Sequence, residues 1–151
     1  WGTPAGGAWT LLSGLDGGQT QVDDPQADDV AYWCHPLDIH LATKGLQGWP
    51  RLQLQVWAQD SLGRCQLLGY GFCQVPATPG LHEVPCVTWL PRGGSWRQRL
   101  GQRFVGGGPQ LCAPEAAAGA SERFRLRTES SGIVHLQLGV LLRNFGCYGV
   151  E

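Results

Sequence analysis

Arg51-Leu52-Gln53-Leu54-Gln55-Val56-Trp57 is the stretch on which the fold turns. Leu52, Leu54 and Val56 alternate with Gln53 and Gln55, the two-residue period of a strand with one face buried. The same period returns at Val134, Leu136, Leu138, Val140 and Leu142, with His135, Gln137 and Arg143 on the opposite face. Phe124, Leu126 and Thr128 interleave with Arg123, Arg125 and Arg127, which sets three guanidinium groups on one face of one strand. Leu67 to Val75 reads as a further strand, where Gly69 and Gly71 point to a bulge or a close backbone approach. Shorter extended runs are expected at Trp9–Ser13, Thr20–Val22, Ala31–Cys34, Ile39–Thr43 and Leu81–Val87. One segment asks for a helix. Ser95 and Gln98 resemble a capping box, and Trp96, Leu100 and Phe104 fall on one helical face, although Gly101 weakens it. Short strands separated by Gly and Pro, with one inserted helix, predict an all-β antiparallel sandwich.

A chain of 151 residues, 42% hydrophobic and 15% charged, can bury one core and is not a disordered composition. The longest apolar run, Ile133 to Leu142, is broken by His135 and Gln137 and falls short of the roughly 18 residues of a membrane helix. Cys34, Cys65, Cys73, Cys86, Cys112 and Cys147 are dispersed, and Asn144 begins no glycosylation sequon, which favours reduced thiols in the cytosol. The chain has no Met and starts at Trp1, which reads as a processed or truncated N-terminus. A net charge of −1 hides a segregation. Trp1 to Thr43 carries six aspartates and no Lys or Arg, whereas Arg92 to Arg127 carries seven arginines against Glu115 and Glu122. Such an arginine surface suits bidentate pairing with carboxylate or phosphate groups, and a merely solvated face is the equal alternative.

Chemistry-bearing motifs are sparse. Gly106-Gly107-Gly108 runs into Pro109 rather than Lys-Ser/Thr, and Gly69-Tyr70-Gly71 lacks the third glycine of a dinucleotide fingerprint. The nearest metal candidates, Cys34-His35 with His40 and Cys65 with Cys73, lack zinc-ligand spacing, so buried inert thiols are expected instead. No Gly-x-Ser-x-Gly elbow is present, and no enzyme is expected. Val56 to Gly69 resembles the C2-domain signature, in which clustered aspartates hold calcium. Here Ala58, Asp60 and Gln66 stand at those three positions, so one carboxylate of three is left. The aspartates at 23, 24, 28 and 29 could supply only an opposing half-cage.

Lys44-Gly45-Leu46-Gln47-Gly48-Trp49-Pro50-Arg51, leading into the first strand quoted above, resembles the hallmark of the B9-domain family. Gly18–Val22, Arg64–Leu67, Gly69–Cys73, Phe104–Leu111 and Leu141–Glu151 extend the resemblance over nearly the whole chain, which departs from it at Ala113–Ser121. The resemblance implies a C2-like antiparallel β-sandwich forming a single B9 domain over residues 1–151, without the strand such proteins carry before Trp1. No catalytic activity follows from it, and the residues themselves leave no cofactor or metal site expected. The implied role is a scaffold in the cytoplasm at the ciliary transition zone and basal body, within the complex named for Meckel syndrome. That complex limits membrane-protein diffusion between cilium and plasma membrane. Other B9-domain proteins and transition-zone membrane components are the implied partners, with peripheral membrane contact and no nucleic acid. The candidate partner or lipid surface is Arg97, Arg99, Arg103, Arg123, Arg125 and Arg127. The alternative is a calcium-independent peripheral phospholipid-binding C2 module using those arginines on headgroups.

Overall fold

The structure, a computed structural model, describes residues 1–27, 29–91, 128–146 and 149. Among them the chain is all strand and loop, in two antiparallel sheets. Strands β1 (Trp9–Gly14) and β2 (Ile39–Thr43) form a two-stranded sheet. Strands β3 (Arg51–Gln59), β4 (Cys65–Gln74), β5 (Gly80–Pro91) and β6 (Thr128–Val140) form a four-stranded sheet in sequence order. The all-β antiparallel expectation holds. The expected helix at Ser95–Phe104 and the Ala113–Ser121 loop lie outside the described residues.

The period-two stretches become strands because alternation lets one face leave water while every backbone group is paired. Along β6, half-buried Val134, Leu136, Leu138 and Val140 alternate with exposed Ile133, His135, Gln137 and Gly139. In β3 and β4, Leu52 faces Cys73 and Leu54 faces Gly71 across the ladder. The register slips between Val56 and Trp57, whose partners jump from Gly69 to Leu67, so Leu68 is the extra residue of a bulge. Gly71 also meets the close approach expected of it: a Cβ there would stand 2.9 Å from Cys86 Sγ. Among the described residues Leu52, Leu67, Tyr70 and Cys86 are the buried hydrophobic side chains, and buried Thr88 donates to Gly132 O at 3.0 Å.

Two of the shorter predictions fail. Thr20–Val22 and Ala31–Cys34 are not strands. Side chains rather than a ladder join them: the Asp23 carboxylate accepts from Tyr32 N at 2.7 Å, and the Gln21 amide donates to Trp33 O. Cys34 then turns left-handed at φ 45°, which ends any extended run.

The outer edge of β3 is covered by the chain's first residues. Gly2 and Gln53 exchange backbone bonds of 2.9 and 2.8 Å, and Arg51 N donates to Pro4 O. On its far side the same segment meets residues 16–18 through Thr3 N to Asp16 O and Gly18 N to Trp1 O. Three aromatic rings tie the small sheet to the large one. Trp49, just before β3, packs edge-on against Trp9 of β1 at 5.1 Å and against Phe145 beyond β6 at 6.3 Å. Trp49 Nε1 donates to Val75 O at 2.8 Å and Trp9 Nε1 to Gln47 O at 3.0 Å, so each indole satisfies its polar edge while burying its rings.

Candidate functional site

The loop from Asp60 to Arg64 joins β3 to β4 and occupies the place where the C2 signature would hold calcium. Ala58 and Gln66 are direct cross-strand partners at its mouth, so two of the three signature positions face each other without a carboxylate. Asp60, the third, is already engaged. Its Oδ1 accepts from Leu62 N at 3.0 Å and from Arg64 N at 2.8 Å, while Oδ2 accepts from Arg64 Nε at 2.8 Å. The Arg64 amide, the largest effect, holds the Asp60 carboxyl below its usual range; desolvation, the second largest, opposes it, and the Arg64 guanidinium bond, the Leu62 amide and the Arg64 charge add to the lowering. Gly63, at φ 79°, supplies the left-handed residue the turn needs, and Gly63 N closes on Asp60 O at 3.0 Å. An arginine of the same hairpin thus gives this carboxylate the positive charge a cation would give it.

The acidic segment does not complete a cage. Asp23 is occupied with Tyr32 N, Asp24 Oδ2 receives Gln26 at 3.2 Å, and Asp28 lies outside the described residues. Among the described residues no group of three His, Cys, Asp or Glu side chains is placed to hold a metal ion. Cys34 and Cys65 are exposed, whereas Cys86 is buried and Cys73 half-buried. The six arginines expected to form a partner or lipid surface, at 97, 99, 103, 123, 125 and 127, lie outside the described residues.

What sequence reasoning missed is an apolar pair on the outer face of β5 and β6. Val87 and Ile133 stand opposite each other in the ladder and are 54% and 56% exposed. The signal was present. Ile133 falls in step with His135 and Gln137 rather than with Val134, so its own strand's period assigns an apolar side chain to the solvent face.

Comparison with known proteins identifies the scaffold that carries these features. Residues 1–141 match the B9-C2 family, described as ciliary basal body-associated, B9 protein. The chain belongs to the B9-C2 family. It is 62% identical to B9 domain-containing protein 2 of Bos taurus over 151 residues, all of this chain and 86% of that protein. It is 41% identical to the Drosophila melanogaster protein of the same name, over all of this chain and 85% of that protein. A more distant likeness, 28% over 95% of this chain and 71% of the other, links it to B9 domain-containing protein 1 of Mus musculus. No solved structure matches the chain. The B9-C2 membership gives the domain a cilium-related role, and the all-β antiparallel architecture agrees with the C2-like expectation.

Proposed function

We propose that the chain is a single, non-catalytic B9 scaffold domain of the ciliary transition-zone complex named for Meckel syndrome. In this reading it works in the cytoplasm at the transition zone and basal body. It holds other B9-domain proteins and transition-zone membrane components, and so supports cilium assembly and the barrier to membrane-protein diffusion. The observation that carries the reading is identity of about three residues in five, over the whole chain, to vertebrate proteins named B9 domain-containing protein 2. The likeness to B9 domain-containing protein 1 supports sister B9 proteins as partners. The engagement of Asp60 by Arg64 agrees with a domain that works without calcium.

The test is co-expression of the full-length protein with B9 domain-containing protein 1, followed by sizing without lipid, and rescue of ciliary gating in cells lacking the protein. Stoichiometric co-elution and a restored barrier are expected. Separate elution together with salt-sensitive binding to phosphoinositide vesicles, lost in Arg123→Glu/Arg125→Glu, would replace the scaffold with the peripheral phospholipid-binding alternative.

A further inference from the structure

The four-stranded sheet is unevenly joined. Ladder β3–β4 runs through nine residue pairs and ladder β5–β6 through twelve, but β4 and β5 share only Tyr70–Trp89 and Gly71–Thr88. Pro85 has no N–H to donate, and the β4–β5 ladder, confined to Thr88 and Trp89 of β5, stops short of it. Two well-paired hairpins therefore meet along a short seam.

Carrying that register on by two residues sets Cys73 of β4 opposite Cys86 of β5. Both point to the core side of the sheet, in one row with their outer partners: Leu52 faces Cys73, and Cys86 faces Val134. Cys86 is 1% exposed and its sulfur lies over Gly71, the residue two places before Cys73 on the same face. The two side chains are neighbours: interaction with Cys86, then burial, pushes the Cys73 thiol far up, while the same interaction with Cys73 lowers Cys86. Directly opposed residues on antiparallel strands have Cα atoms about 4.5–5.5 Å apart, within the span a disulfide requires.

We propose that Cys73 and Cys86 form a redox-sensitive latch across the β4–β5 seam, open as two thiols and closed as a cross-strand disulfide. A peroxide is the oxidant. One sulfur takes up oxygen to become a sulfenic acid, releasing one water. The second sulfur attacks it, the S–O bond breaks, and the leaving hydroxide departs as water with the proton of the second thiol. Two thiols thus give up two electrons and two protons, and one peroxide becomes two waters. The closed latch joins the hairpins just where their backbone ladder stops. It encloses a loop of about a dozen residues, whose constraint lowers the unfolding equilibrium constant on the order of a hundredfold. The burial of Cys86 makes closure slow, so the latch answers sustained oxidation. Cys34 and Cys65 are exposed free thiols, open to oxidation as single groups.

The experiment treats the native full-length protein with hydrogen peroxide, unfolds it in a thiol-alkylating agent, and maps the peptides by mass. A linked peptide pair containing Cys73 and Cys86 is expected, with a urea midpoint that rises on oxidation and returns on reduction. In Cys73→Ala both the link and the rise disappear, while the reduced protein melts close to the parent. A variant with Cys34→Ser and Cys65→Ser keeps both. Recovery of Cys73 and Cys86 as alkylated free thiols, or joined to other cysteines, overturns the proposal whatever the stability of the variants.

Discussion

Substituting Gly71 by alanine puts the packing of the large sheet to a quantitative test. The new methyl carbon would stand 2.9 Å from Cys86 Sγ, 3.1 Å from Thr88 Cγ2 and 3.5 Å from the Val87 carbonyl. The first distance is well inside van der Waals contact, and neither neighbour can retreat easily. Cys86 and Thr88 are both buried, and the Thr88 hydroxyl is committed to Gly132 O. Overpacking of this kind costs about 1–3 kcal/mol. Removing glycine's freedom from the unfolded chain returns about 0.4–1 kcal/mol. A net loss of about 1–2 kcal/mol remains. At a typical urea slope of about 1–3 kcal/mol per molar, the midpoint falls by roughly 0.5–1 M. Cys86→Ala removes the sulfur that the new methyl would strike, and so opens the space the substitution needs. In a double-mutant cycle the pair Gly71→Ala/Cys86→Ala is therefore expected to lose less stability than the two single changes summed, by about 1 kcal/mol. Thr88 Cγ2 stays in place, so the relief is partial. Urea melts of all four proteins decide it. An unchanged midpoint for Gly71→Ala, or strict additivity in the cycle, would refute the close approach of β4 and β5.

Other outcomes follow from the same contacts. Trp49→Phe keeps the ring packing on Trp9 and Phe145 but drops the bond to Val75 O, a loss of about 1 kcal/mol readable by thermal melting. The lowered Asp60 pKa contributes stability above its unfolded value near 3.8, lost as the pH falls through the folded one. Asp60→Asn should therefore narrow the gap in urea midpoint between neutral pH and about pH 3, and an unchanged gap would refute the assignment. Calorimetry with calcium in the low micromolar range should give no saturable heat, because Ala58 and Gln66 bring no carboxylate; a fitted site would overturn this.

Much of the fold was legible from periodicity because the alternation of Leu52, Leu54 and Val56, and of Val134 to Val140, is a direct consequence of one face leaving water. The same reasoning found β1 and β2 from short apolar runs and attached a bulge and a tight approach to Gly69 and Gly71. It erred at Thr20–Val22 and Ala31–Cys34. There the extended propensity of Val22, Tyr32 and Trp33 lost to side-chain bonds from Gln21 and Asp23, which satisfy the backbone without a ladder. The loss of calcium-ligand chemistry was readable at Ala58 and Gln66, since an absent carboxylate is a property of composition at a position.

What only tertiary structure decided is which groups meet. The amino-acid order alone determined a β-rich chain, its main strands, its segregated charge and a B9 resemblance, because each is a local or compositional property. The partner of Asp60, the exposure of Val87 beside Ile133, and the contact of Cys73 with Cys86 depend on strand register and on where a ladder stops. Register is a long-range choice, set by the sum of cross-strand contacts rather than by any one strand. Two cysteines thirteen positions apart are ordinary in a one-dimensional chain. They become a pair only when β4 and β5 fold back at the one register that opposes them.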